Sequence, residues 1–252
     1  MSARFPFLDA PWPLAIAHRG AGAAENSMAA FESAIRLGYR YLETDARATA
    51  DGVLLAFHDA TLDRVTDRTG RIAELPYAAV RLARIAGRES IPQLAEVLGS
   101  WPGVRVNIDV KASGAIGPLV DVLHRCRAVD RVCVGSFSDA RLAAVRAAVG
   151  PRLCTAMGPR EVLRLRVASY LPRLPVGGPA GCVQVPSRFG PLPVTGRRLV
   201  AAASRLGVPV HVWTVNDAHE MKRLLDLGVA GIMTDQAETL RAVLRDRGQW
   251  HG

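Results

Sequence analysis

The chain has 252 residues, 49% of them hydrophobic and 6% aromatic, with a formal net charge of +9. That length and content suit a single domain over residues 1–252 with one large core of Ala, Val, Leu and Ile; no run approaches the roughly 20 apolar residues of a membrane span, and the opening MSARFPFLDAPWPL lacks the apolar stretch of a secretory signal, so a cytoplasmic location is expected. Lys111 and Lys222 are the only lysines among 32 basic residues, and the arginines are scattered without interleaved aromatics, which excludes nucleic acid as the expected partner and leaves anionic small molecules, with weak attraction to an anionic surface at most.

Residues 14–17 form a short apolar run, the first predicted strand. It ends at His18-Arg19, followed by Gly20 and Gly22, which let the chain turn. Asn26 is placed to cap a helix whose apolar positions are Met28, Phe31, Ala34 and Ile35, with Gly38 at its stop. The helix N-terminus next to an imidazole and a guanidinium favours an anion. Residues 39–45 form the second strand. Side chains at i and i+2 share a face, so Glu43 and Asp45 point the same way, as suits a hard cation. Asp51-Gly52 marks a turn, and residues 53–57 form a third extended run. The connection is too short for a crossover helix, so the two runs pair antiparallel and return His58 to the neighbourhood of Glu43 and Asp45.

Residues 59–91 mix charges and turn residues and read as a small insertion after the second strand. Asp63, Arg64, Asp67, Arg68 and Arg71 are expected on a solvated face, and the insertion as a whole either covers the pocket mouth or stands aside from it. A helix is predicted from Pro92, with proline in its first turn. From there strands and helices alternate: strands at 104–110, 131–135, 152–156, 182–185, 209–215 and 231–234, each followed by a helix. With the runs at 14–17 and 41–45 these make eight βα units, an α/β fold of the (β/α)8 TIM-barrel type. The loops 170–181 and 186–193 follow strand ends and are expected to be connectors or to shape specificity. In such a barrel catalytic groups collect at the C-terminal ends of strands, where His18, Glu43, Asp45, Asp109, Lys111 and Trp213 all fall. Cys126, Cys133, Cys154 and Cys182 show no metal-like spacing and are expected as reduced thiols, the last three packing as small hydrophobes in strands.

Taken together, His18-Arg19-Gly20, Glu25-Asn26-Ser27, Glu43-x-Asp45, Asp51-Gly52 and His58-Asp59 resemble the signature of the glycerophosphodiester phosphodiesterases. The likeness continues through Leu62-x-Arg64-x-Thr66, Ile91-Pro92-x-Leu94 and Asn107-x-Asp109-x-Lys111. It closes with Val212-Trp213-Thr214-Val215-Asn216 and the run from Gly228 to Thr234-Asp235. The resemblance implies metal-dependent hydrolysis of glycerophosphodiesters to glycerol 3-phosphate and an alcohol. It implies His18 and His58 as the acid/base pair, with His18 assigned as base and His58 as acid. Glu43, Asp45 and Asp109 are the expected ligands of Mg²⁺ or Ca²⁺, although the family usually has Glu where Asp109 stands. Arg19 and Lys111 are expected to meet phosphoryl oxygens, and Trp213 to offer an apolar wall to the glycerol carbons. Two alternatives remain: a lysophospholipase D or sphingomyelinase D-like enzyme, and a non-catalytic phosphate-ester binding barrel.

Overall fold

The computed structural model describes residues 4–171 and 174–252; residues 172 and 173 of the predicted loop 170–181 thus lie outside the described residues. Eight parallel strands form the barrel: β1 (Leu14–Ala17), β2 (Tyr41–Ala48), β3 (Arg105–Val110), β4 (Val132–Gly135), β5 (Cys154–Thr155), β6 (Val183–Pro186), β7 (Val210–Trp213) and β8 (Gly231–Thr234). They pair in the order β5-β4-β3-β2-β1-β8-β7-β6. The ring closes between β5 and β6 through the parallel bridge Ala156–Cys182, with Gly181 N–H donating to the Thr155 carbonyl at 2.8 Å and Met157 N–H to the Cys182 carbonyl at 2.9 Å.

Each strand is followed by a helix on the outside: α1 (Met28–Arg36), α2 (Leu94–Ser100), α3 (Ile116–Arg125), α4 (Asp139–Val149), α5 (Pro159–Ala168), α6 (Arg197–Arg205), α7 (Ala218–Asp226) and α8 (Ala237–Asp246). The period-2 alternation of the strands divides two environments. Leu42, Ala46, Val106, Ile108, Val132, Val134, Val183, Val185, Val210, Val212 and Ile232 join the core shared with the helices. The alternate positions face the barrel interior, and that interior is graded. Toward the N-terminal ends it holds Leu14, Ile16, Tyr41, Cys133, Cys154 and Cys182, packed against Phe5, Phe7 and Leu8 of the N-terminal segment. Toward the C-terminal ends β2 carries Glu43 and Asp45, and β3 carries Asn107 and Asp109.

Two boundaries differ from the sequence expectation. The cap of α1 is Ser27, whose Oγ accepts from Ala30 N–H at 3.1 Å. Asn26 instead sits at a φ of 60° and turns its amide inward, because buried acceptors and donors on β2 compete for it. Pro92 lies ahead of α2, whose cap position is Gln93; its carbonyl accepts from Ala56 N–H at 3.0 Å.

The hairpin forms as expected: Leu54–Ala56 pairs antiparallel with β2, Ala46 opposite Ala56. The insertion is more than an excursion. Leu62, Ile72, Val80, Ala83, Ile85 and Ile91 bury themselves with Leu55 and Phe57 of the hairpin in a separate apolar cluster, which fixes the insertion beside the C-terminal ends of β1 and β2. Loop 186–193 contains a second hairpin, Arg188–Phe189 against Leu192–Pro193, that the sequence reading leaves as a plain loop; its Phe189 and Leu192 are exposed.

Gly20 tests the seating of the first βα turn. Its φ is 83°, and a Cβ there would lie 2.8 Å from the Ala30 Cβ and from Phe31 N. Gly20→Ala is expected to destabilise the fold by about 2 kcal/mol or more, read as a lower urea midpoint. An unchanged midpoint would show that α1 is not held against this turn.

Candidate active site

The chain leaves β1 through a short 3-10 turn, His18–Gly20, in which Arg19 adopts a φ of 51° and Ala21 one of 52°. Left-handed backbone at two successive non-glycine sites is held only where surrounding contacts enforce it. Here the reward is on Glu43: the Arg19 N–H donates to Glu43 Oε2 at 3.1 Å, and His18 Nε2 lies 3.7 Å from the same oxygen. His18 Nδ1 lies 2.6 Å from Asp235 Oδ1. Asp235 is itself clamped, its Oδ2 accepting from Asn216 Nδ2 and its N–H donating to Asn216 Oδ1, both at 2.9 Å. A carboxylate on Nδ1 selects the tautomer that leaves Nε2 free for chemistry. Burial disfavours the charged imidazole of His18, but the Asp235 hydrogen bond and the Glu43 charge outweigh it, so its pKa stands above the ordinary value.

Glu43 and Asp45 point into the barrel from β2, both buried. The parallel register sets Asp45 opposite Asp109 of β3, so strand pairing alone brings two carboxylates side by side. Lys111 answers both, its Nζ 2.9 Å from Asp45 Oδ1 and 2.6 Å from Asp109 Oδ2. Asp45 Oδ2 accepts from Asn26 Nδ2 at 3.0 Å, and Asn26 Oδ1 accepts from Thr44 Oγ1 at 2.7 Å. Arg19 Nε lies 3.2 Å from Asp45 Oδ2, but out of line for a hydrogen bond.

The charges in this pocket do not balance. Three carboxylates meet two cations, Lys111 and Arg19. Burial, then the Asp45 charge, pushes Glu43 up to about 8. Asp45 stays below the usual carboxylate range, because Lys111 and Arg19 outweigh its burial. Asp109 is raised, chiefly by burial, with Lys111 opposing, and its Oδ1 is buried with no hydrogen-bond partner. An all-oxygen donor set with surplus negative charge and an unpartnered carboxylate oxygen fits a hard divalent cation. The expected convergence of all three acids on one point is not present: among the described residues, only three cysteines bring three ligand atoms within 4.8 Å of one another. The Lys111 ammonium, bonded to both Asp45 and Asp109, stands where their oxygens would otherwise meet.

The second imidazole arrives by the hairpin. Phe57 N–H donates to the Asp45 carbonyl at 2.9 Å, which extends the pairing to the residue before His58, and Arg47 Nε donates to the His58 carbonyl at 2.7 Å. His58 Nδ1 lies 2.6 Å from Asp59 Oδ1, the same arrangement as at His18. Arg64 binds Asp59 through Nε and Glu25 through NH2, the latter at 2.6 Å, and Glu25 Oε1 accepts from Arg19 NH1 at 3.0 Å. The Arg64 hydrogen bonds, helped by His58, hold Asp59 at about 2. A continuous run of charged contacts therefore joins His58, Asp59, Arg64, Glu25, Arg19 and Asp45.

Trp213 packs edge-on against Phe137 with ring centroids 5.6 Å apart, and the Lys111 ammonium lies 5.9 Å over the Phe137 ring. Arg141 donates through NH1 to the Lys111 carbonyl at 2.9 Å and steadies that lysine from behind. His211, on β7 between Val210 and Val212, is fully buried; burial draws its pKa down to about 4.

Of the residues the sequence singles out, His18, Arg19, Glu43, Asp45, Asp109 and Lys111 form one contact network. His58 is joined to it through Asp59 and Arg64, and Trp213 stands at its edge. Arg64 is exposed, as expected, and from that exposed place its guanidinium binds two carboxylates. Asp235, Asn216, Asp59, Glu25, Phe137 and Arg141 carry site roles that the sequence reading does not assign. For all but Phe137 and Arg141 the signal existed: they stand inside the quoted motifs.

The family model for the glycerophosphoryl diester phosphodiesterase family matches residues 18–239. A probable glycerophosphodiester phosphodiesterase 2 of Mycobacterium tuberculosis is 40% identical over 251 residues, which cover 95% of this chain and 93% of that protein. A putative glycerophosphoryl diester phosphodiesterase of Silicibacter pomeroyi superposes with a TM-score of 0.82 at 23% identity, over 97% of this chain and 98% of that one. An Oleispira antarctica phosphodiesterase in complex with the product sn-glycerol-3-phosphate superposes with a TM-score of 0.79 at 22% identity, over 93% of this chain and 97% of that one.

The raised pKa of Glu43 has a consequence for stability. A carboxyl whose folded pKa exceeds its unfolded value stabilises the fold below the unfolded pKa, and that contribution is lost as pH rises through the folded one. In chelator, the thermal midpoint is expected to fall as pH rises from 4.5 to about 8, with Glu43→Gln showing a flatter profile over the same window. Parallel profiles for the two proteins would contradict the buried charge excess.

Proposed function

This chain belongs to the glycerophosphoryl diester phosphodiesterase family, and on that basis we propose that it hydrolyses glycerophosphodiesters to glycerol 3-phosphate and an alcohol in a metal-dependent reaction with two-histidine acid/base catalysis. As in the rest of the family, the chemistry is that of a phosphoric diester hydrolase. The observation that carries the finer reading is the pairing of two carboxylate-oriented imidazoles with three acids, of which Glu43 and Asp109 resist ionisation. The product complex of the Oleispira antarctica phosphodiesterase supports glycerol 3-phosphate as the released phosphate ester.

Glu43, Asp45 and Asp109 would hold Mg²⁺ or Ca²⁺. Such an ion, when bound, stabilises charge on a phosphoryl oxygen as a Lewis acid. The remaining work falls to side chains. Lys111 and Arg19 meet the phosphoryl oxygens and oppose the charge that develops on them. His18 Nε2 takes the proton of the nucleophile, and His58 Nε2 gives one to the leaving alcohol. Asp235 and Asp59 hold each ring in its tautomer. The base role asks His18 to be neutral; its burial favours that form, while the Asp235 hydrogen bond and ionised Glu43 oppose it, and positive charge near Glu43 would weaken the latter. Trp213 and Phe137 give an apolar wall. The nucleophile is water or the neighbouring glycerol hydroxyl, and a substrate lacking that hydroxyl separates the two: hydrolysis at full rate excludes a cyclic phosphate intermediate.

A second reading has a specific observation behind it. Phe137, Phe189 and Leu192 are 65%, 76% and 66% exposed, on loops that follow β4 and β6 at the catalytic end of the barrel. An apolar rim of this kind suits a lysophospholipid, whose headgroup needs the same chemistry. One catalytic domain in the cytoplasm fits the match over residues 18–239, the absence among the described residues of a helix long and apolar enough to cross a membrane, and four free cysteines.

His18→Ala and His58→Ala are each expected to cut turnover of glycerophosphodiesters by at least about a hundredfold, and Asp235→Asn by about tenfold or more. Near-normal turnover in either alanine variant removes that residue from the mechanism. The assay across glycerophosphocholine, glycerophosphoethanolamine and lysolipids, with and without chelator, decides between the two substrate classes; undiminished hydrolysis in chelator would overturn metal dependence.

A further inference from the structure

The opposite end of the barrel holds a cluster that the hydrolase chemistry does not use. Cys133 on β4, Cys154 on β5 and Cys182 just before β6 occupy inward positions on three adjoining strands, and their sulfurs all lie within 4.8 Å of one another. Cys133 and Cys154 are direct register partners. The Cys133 and Cys182 sulfurs are 3.7 Å apart, far beyond the roughly 2.05 Å of a disulfide. Two thiolates bound to one soft ion at about 2.3 Å stand about 3.8–4.0 Å apart in tetrahedral or trigonal geometry. The spacing is thus that of neighbouring ligands.

We propose that these three sulfurs form a site for a soft, thiophilic d10 ion such as Zn²⁺, held by three thiolates in the closed end of the barrel and separate from the hard-cation site at the catalytic end. The donors select the class: thiolate prefers soft ions, whereas the carboxylates of the other end prefer hard ones. Binding replaces three S–H protons, released to solvent, by one divalent ion, leaving a complex of one negative charge and no change of oxidation state. Arg4, stacked at 5.0 Å over the Phe5 ring, places positive charge beside the cluster that Phe5 packs against.

The cluster is closed off by few residues. Phe5, Phe7 and Leu8 cover it from below, and a Cβ on Gly181 would come within 2.7 Å of both the Cys154 sulfur and the Phe5 ring.

Cadmium is the probe, since Cd²⁺ on thiolate gives a charge-transfer absorption that Cd²⁺ on carboxylate does not. The intact chain is expected to take up one equivalent with that absorption, with release of protons, and Zn²⁺ is expected to displace it. Cys154→Ala is expected to weaken uptake at least about tenfold and to lower the absorption per ion, while turnover of glycerophosphodiesters stays at the level of the unaltered chain; Cys126→Ala is expected to change nothing. Absence of the absorption in the unaltered chain overturns the proposal without any variant. So does an absorption of equal strength in folded Cys154→Ala, or one lost in Cys126→Ala.

Discussion

Strand register places Asp45 directly opposite Asp109 inside a parallel barrel, and much of the catalytic end follows from that pairing. Two carboxylates side by side away from water repel unless something positive lies between them. Lys111, two residues beyond Asp109 on the same strand face, supplies it. Glu43, two residues before Asp45, is buried beside that charge, and burial and then Asp45 push its carboxyl up to about 8. The strained turn at His18–Gly20 is tied to Glu43 by the Arg19 N–H, which donates to its Oε2 at 3.1 Å.

The two histidines are built alike from different parts of the chain. Each has a carboxylate 2.6 Å from Nδ1. For His58 the carboxylate is the next residue; for His18 it is Asp235, at the far end of the sequence and brought close because β1 pairs with β8. Barrel closure is therefore part of the geometry that sets His18 against Asp235. The insertion contributes in the same way. Its apolar cluster with Leu55 and Phe57 anchors it, and Arg64 extends from that anchor to bind Asp59 and Glu25 together.

Period and motif made the eight βα units, the antiparallel hairpin and the return of His58 toward β2 legible in the sequence, because each rests on local spacing. The partners of the histidines were visible only as letters within motifs, since pairing Asp235 with His18 requires the ring of strands to close. Asn26 misled because a good cap residue is also a good partner for a buried carboxylate, and Ser27 beside it could take over the cap. Arg64 keeps its expected exposure, but its bonds to Asp59 and Glu25 had no signal in a run of charges that faces water. The cysteines lacked metal-like spacing along the chain, yet three strand positions coincide in space once the register is set. Phe137, Phe189 and Leu192 carry no periodic signal at all.

The central claim is that the acids and both imidazoles share one pocket around a divalent ion. Titration with Mn²⁺ while the imidazole proton resonances of His18 and His58 are followed by NMR tests it most directly, because paramagnetic broadening reports distance from the ion. Both resonances should broaden together at one equivalent, those of the exposed His124, His219 and His251 should not, and Glu43→Gln should abolish the effect. Broadening of only one of the two, or equal broadening in Glu43→Gln, would contradict a shared site.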